Sequence, residues 1–218
     1  MASTTDPVRA AGLVAREVRT GSRDGKPTKI AIARRWYGAE RPDVWDALTN
    51  AERIPRWFLP VSGDLVAGGR YELEGNASGV IESCEEPESF AVTWEFGGMV
   101  SWLQVSLSEA DGGTTLEVSH EAHVDPDMWE QFGPGAAGLG WDGALLGLEQ
   151  HLASGEALDR AAAETWPTTS EGTKFFRLAG EGWAQAAIDD GDEPEQARAA
   201  SERSIAFYTT PPEEAPEG

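Results

Sequence analysis

Residues 90–108 read FAVTWEFGGMVSWLQVSLS, and two alternations within them decide the fold. Phe90, Val92, Trp94 and Phe96 alternate with Ala91, Thr93 and Glu95. Leu103, Val105 and Leu107 alternate with Gln104, Ser106 and Ser108. A period of two belongs to a half-buried strand, and Gly97-Gly98 supplies a turn between the runs. The stretch reads as neighbouring antiparallel strands with one face on a core.

The same pattern continues on both sides. Strands are expected over 70–75, 79–84, 90–96, 100–108 and 114–124, separated by Gly68-Gly69, Gly75-Asn76, Pro87, Gly97-Gly98 and Asp111-Gly112-Gly113. After a helical turn at Asp125-Pro126-Asp127, broken by Gly133-Pro134-Gly135, the period changes. Trp141, Leu145, Leu148 and Leu152 share one face of a long helix over 136–153. Gly143 and Gly147, one turn apart, suggest close approach to another element. Upstream, Ile30 and Ile32 mark a strand over 28–37. Pro42 and Asp43 open a short helix with Val44, Trp45 and Leu48 on its apolar face, and Asn50 caps a second over 51–58. The expected fold class is α+β, a curved antiparallel sheet gripping one long C-terminal helix.

Residues 1–27 read as an N-terminal arm: a loose lead-in to about residue 10, then a segment able to pair with 28–37 across the turn-rich 21–27. Residues 154–208 read as a helical extension. Thr168-x-x-Glu171 has the spacing of a capping box, Phe175, Leu178, Ala179, Trp183 and Ala186 follow, and Pro194 starts a second helix. The Pro/Glu-rich 209–218 reads as disordered.

Seventeen Lys+Arg against 38 Asp+Glu leave a formal net charge of −21. No Lys or Arg occurs between Arg70 and Arg160. Nucleic acid and anionic membrane surfaces are therefore not expected as partners, since both need basic groups. Nine tryptophans are too much apolar payload for a disordered acidic chain. No apolar stretch approaches the length of a span or a secretory leader, so the expected location is cytoplasmic. The single cysteine, Cys84, permits no intrachain disulfide and reads as a small buried hydrophobe.

Several stretches resemble the START-like helix-grip superfamily, SRPBCC. They are Ala39 to Asn50, Ile54-Pro55-Arg56-Trp57-Phe58, Gly68-Gly69-Arg70-Tyr71, Gly79-Val80-Ile81-Glu82, Glu86-Pro87-Glu88, Thr93-Trp94-Glu95, Gly112 to Leu116, His120 and Gly140-Trp141. Within the superfamily, their order is similar to the family named for the activator of the ninety-kilodalton heat-shock protein ATPase. The likeness covers roughly 28–153. It implies a sheet gripping its C-terminal helix around an internal cavity, but no single activity: superfamily members bind lipids, sterols and polyketides, cyclise polyketides, or act as co-chaperones.

Other constellations are weaker. His120 and His123 lie on opposite faces of a strand, and no further ligands accompany them, so no metal is expected. The acidic run at 189–193 lacks calcium-loop spacing. No Gly-x-Ser-x-Gly elbow or Cys–His pair supports a nucleophile. Of Arg34 and Arg35, one faces the interior and needs a carboxylate that the sequence does not identify.

Trp45, Trp57, Trp94 and Trp141 fall on inward positions, either as plain core or as a cavity lining. Three functions follow. The first is non-catalytic binding of a small hydrophobic or aromatic molecule by Trp57, Phe58, Tyr71, Leu73, Trp94, Leu103, His120, Trp141 and Leu145, without a cofactor. The second is a protein-interaction or chaperone-regulating module with an exposed patch at Trp102 or the C-terminal helices. The third is a cyclase-like or hydratase-like enzyme. The C-terminal helices are expected to dock on the parent domain, where Trp102 offers a surface, and can contribute to a homodimer.

Overall fold

The alternating residues 90–108 become two central strands of an eight-stranded antiparallel sheet. A computed structural model describes residues 6–211. The N-terminal elements are α1 (Pro7–Gly12), β1 (Ala15–Arg23), β2 (Lys26–Tyr37), α2 (Arg41–Thr49), α3 (Ile54–Trp57) and β3 (Val61–Gly63). The meander is β4 (Arg70–Leu73), β5 (Ser78–Glu85), β6 (Ser89–Phe96), β7 (Met99–Ala110) and β8 (Gly113–His123). Helices complete the chain: α4 (Pro126–Phe132), α5 (Gly135–Ser154), α6 (Arg160–Thr165), α7 (Ser170–Asp189) and α8 (Pro194–Thr209).

The strand order is β1-β2-β8-β7-β6-β5-β4-β3, so β1 and β3 are the edges. Gly97 and Gly98 both have positive φ, 58° and 79°, the turn that two-residue hairpins require. Register then sets Val92 opposite Leu103, and Val105 opposite Val118. These residues, with Leu107 and Leu116, form a buried inner face.

Helix α5 lies on that face, and its burial is two-sided. Trp141, Leu145 and Leu148 look toward the sheet, as their spacing predicts. Gly138 and Asp142 form a second face against α7. A Cβ on Gly138 would sit 2.4 Å from the Trp183 ring, and one on Gly147 would sit 2.6 Å from the Trp57 carbonyl. The close approach expected of Gly147 is thus present. Gly143 has only ordinary contact, with Phe176 at 4.0 Å. The result is three layers: sheet, α5, and the α7–α8 hairpin carrying Phe175, Phe176, Trp183 and Ile205.

Buried charge ties the layers together. Arg35 is the inward arginine; it pairs with Glu149 of α5 and donates to the Ala10 carbonyl at 3.3 Å. Asp142, fully buried, takes Arg16 of β1 at 3.1 Å and the Trp183 indole N–H at 2.7 Å. Burial pushes the Asp142 carboxyl up; the Arg16 charge and the Trp183 N–H oppose that shift. The α7–α8 turn is latched by Lys29 to Asp190 and Asp192, at 2.6 and 3.2 Å.

Several expectations are corrected. Residues 7–10 are not a loose lead-in: Asp6 caps α1, and Ala10 and Ala11 are buried in the core. Residues 1–5 lie outside the described residues, as do 212–218 of the tail expected to be disordered. The helix expected over 51–58 is one turn, 54–57, and β3 and α6 carry no signal that the pattern reveals. The α7 cap is Thr169, whose hydroxyl accepts from the Gly172 N–H at 3.1 Å; Thr168 sits in a short 3-10 turn before it. The C-terminal helices dock on α5, α1 and β1 rather than over Trp102. Arg23 covers that ring instead, 4.3 Å from its centre. Cys84 is exposed, not buried.

Candidate functional site

The space beneath Trp141 is open. A cavity of ≈ 160 Å³ lies between the inner face of the sheet and α5. Leu103, Val105, Leu116 and Val118 of β7 and β8 form its floor, and Trp141, Ala144, Leu145 and Leu148 of α5 its roof. Leu48, Thr49, Ile54, Trp57 and Phe58 close one side. Tyr71, Leu73, Ile81, Cys84, Phe90, Val92 and Trp94 close the other, with Val61 and Leu65. Cys84 is exposed as well as lining, so the cavity reaches the surface beside it.

Sheet curvature and helix spacing explain why a void survives. The short α3 holds Trp57 and Phe58 as a stacked pair, ring centres 5.4 Å apart. Phe58 in turn stacks on Trp141 at 6.4 Å, and Trp94 meets Trp141 edge-on at 5.2 Å. These rigid rings prop α5 away from the sheet. Packing density inside proteins normally leaves few voids larger than a water molecule, so a space of this size is unusual.

Of the residues predicted from sequence, Trp57, Phe58, Tyr71, Leu73, Trp94, Leu103, Trp141 and Leu145 line this cavity. His120 does not. It stands behind Trp141, whose Nε1 donates to its Nδ1 at 3.1 Å. That bond places the imidazole proton on Nε2, which faces the Ser101 hydroxyl at 2.7 Å. Ser101 donates onward to the Trp94 carbonyl at 3.2 Å. Burial pushes the His120 pKa down to about 4, so the ring is neutral at neutral pH. His120 thereby fixes the edge of Trp141 rather than facing the void.

The other lining donors are mostly engaged too. Trp57 Nε1 donates to the Ala47 carbonyl at 2.8 Å, and the Tyr71 hydroxyl donates to the Thr93 carbonyl at 2.8 Å. The Thr49 hydroxyl donates to the Trp45 carbonyl at 2.8 Å. Burial also pushes the Tyr71 phenol up, keeping it neutral. Lining residues missed from sequence include Val61, which opens the three-residue strand β3, and Leu65, in the loop after it; neither stretch is long enough to show a period. Val105, Leu116 and Val118 share the inner-face parity of Leu103 and could have been included on that signal. Among the described residues, no group of three His, Cys, Asp or Glu side chains is placed to hold a metal ion. No helix there is long and apolar enough to cross a membrane.

The fold is similar to that of known structures. The crystal structure of CalU16 from Micromonospora echinospora matches with a TM-score of 0.62 at 28% identity, covering 80% of this chain and 98% of that one. The solution NMR structure of CalU16 matches with a TM-score of 0.67 at 29% identity, covering 82% and 97%. At 16% identity, EF2215 from Enterococcus faecalis shares the fold, with a TM-score of 0.58 and coverage of 85% and 97%. A comparison with curated proteins gives no match. The model of one protein family, described as activator of Hsp90 ATPase homolog 1-like protein, matches residues 39–153. That span runs from α2 through the meander to the end of α5, and so contains the whole cavity lining; the chain belongs to this family.

Proposed function

We propose that this protein binds a small hydrophobic or aromatic molecule, without catalysis, in the cavity between sheet and α5. One observation carries the reading: an apolar space of ≈ 160 Å³ kept open by stacked aromatic rings. An empty apolar cavity costs stability in proportion to its volume, so a fold that keeps one gains from an occupant. Cavities of about 150 Å³ lined by Leu, Ile and Phe hold benzene, which sets the scale of the ligand. The non-catalytic part rests on His120: both its nitrogens are engaged and it stands behind Trp141.

The test is a panel of small apolar and aromatic compounds, read by tryptophan fluorescence and by thermal shift. Trp57, Trp94 and Trp141 line the cavity, so an occupant changes their emission and raises the melting temperature. A broad panel that gives neither response rejects the reading.

A second reading, a protein-interaction module, is favoured by the β6–β7 hairpin tip. Phe96, Met99 and Val100 are 52%, 57% and 49% exposed there and form an uncharged apolar point. The family description names an ATPase activator, so the measurement is chaperone ATPase rate with and without the protein. No stimulation at saturation rejects the chaperone form of this reading.

A further inference from the structure

The lining of the cavity selects its ligand by charge. We infer that the molecule it takes is uncharged and compact, of one or two aromatic rings, and that anions and cations of the same shape are rejected. The inference rests on the binding reading above and narrows it.

The walls offer an ion almost nothing. No Lys, Arg, His, Asp or Glu side chain lines the cavity. The donors that do line it are largely spent on protein acceptors: Trp141 on His120, Trp57 on Ala47, Tyr71 on Thr93 and Thr49 on Trp45. Among the described residues, the Trp94 indole N–H and the Cys84 thiol are the lining side-chain donors without a protein acceptor. A carboxylate entering this space loses its water and meets at most one indole N–H and one weak thiol donor, and no cation. Burying an ion without a partner is far more costly than the gain from covering its rings. An ammonium meets ring faces, but no carboxylate. Cation–π attraction falls short of what it costs to dehydrate the ion.

The chain's net charge of −21 adds a second barrier for anions, through long-range repulsion on approach. An uncharged two-ring molecule needs none of this. It replaces a void by contacts with the aromatic and aliphatic side chains that line the cavity.

Four probes of one ring system test this at neutral pH: naphthalene, 2-naphthol, 2-naphthoate and 2-naphthylmethylammonium. Binding is read from tryptophan emission, with naphthalene as competitor so that surface adsorption is not counted. Naphthalene and 2-naphthol are expected to bind competitively, and both ions more weakly by roughly tenfold or more. If either ion binds within tenfold of naphthalene, the charge selection is wrong while the binding reading stands. If none of the four binds, the inference is wrong, and the binding reading falls with it only when the broad panel is silent as well.

Discussion

His120 shows how a single proton can hold one wall of the cavity. Its Nδ1 accepts from Trp141, so a second proton placed there would set two donors against each other. Its pKa of about 4 in the folded chain lies below the ordinary 6.5. As pH falls, the unfolded chain therefore binds the proton first. Stability from this group is intact above about pH 6.5 and is lost between there and about 4, on the order of 3 kcal/mol in full. Urea unfolding at stepped pH, compared with His120→Gln, measures it: the parent is expected to lose stability more steeply below pH 6.5. Parallel pH profiles would contradict it. At Ala144 the wall is small, and Ala144→Leu puts three carbons into the void. That substitution is expected to raise stability by about 1 kcal/mol and to abolish naphthalene binding, seen by thermal shift and fluorescence titration. Strand parity made the inner-face residues legible, because burial of one face enforces it. It could not tell that Trp141 stands between His120 and the void, since that depends on the height of α5 above the sheet.

Helix α5 is the element on which both halves of the chain depend. Its sheet-facing side was legible from a regular spacing of Trp141, Leu145 and Leu148. Its other side was not: the spacing does not single out Gly138 and Asp142, whose partners Trp183 and Arg16 come from distant segments. Removing one charge of a buried pair leaves the other unpaired, so Asp142→Asn is expected to cost about 3–5 kcal/mol in denaturant unfolding. The double change Arg16→Met with Asp142→Leu should cost less than either single charge removal, since no lone ion is left. Additive losses would show that the two groups act separately. The remaining elements escaped the pattern for local reasons. β3 has three residues, too few for an alternation, and α1 is a six-residue helix whose burial depends on α7 and Arg35. At α7, Thr168 and Thr169 are adjacent and chemically alike, and the 3-10 turn at Trp166–Thr168 moves the cap to the second.

At the scale of the whole molecule, the C-terminal hairpin is a third layer and not an appendage. It covers α5, α1 and β1, and its turn bonds to strand residues Thr20 and Lys29. Truncation after Ser154 is expected to lower the melting temperature sharply and to increase binding of a hydrophobic dye, while far-ultraviolet dichroism still reports the sheet. An unchanged melting temperature without extra dye would make the hairpin independent. The sheet does not close, so its two outer strands end in unpaired peptide groups. At one side the strand is only Val61–Gly63. At the other, α7 lies along Ala15–Arg23, and Asp190 takes the Thr20 N–H at 3.0 Å. A short strand and a covered strand are two ways of denying a template to a passing chain. The hairpin thus also shields that border, and its truncation is expected to yield thioflavin-binding fibrils under conditions where the full chain yields none.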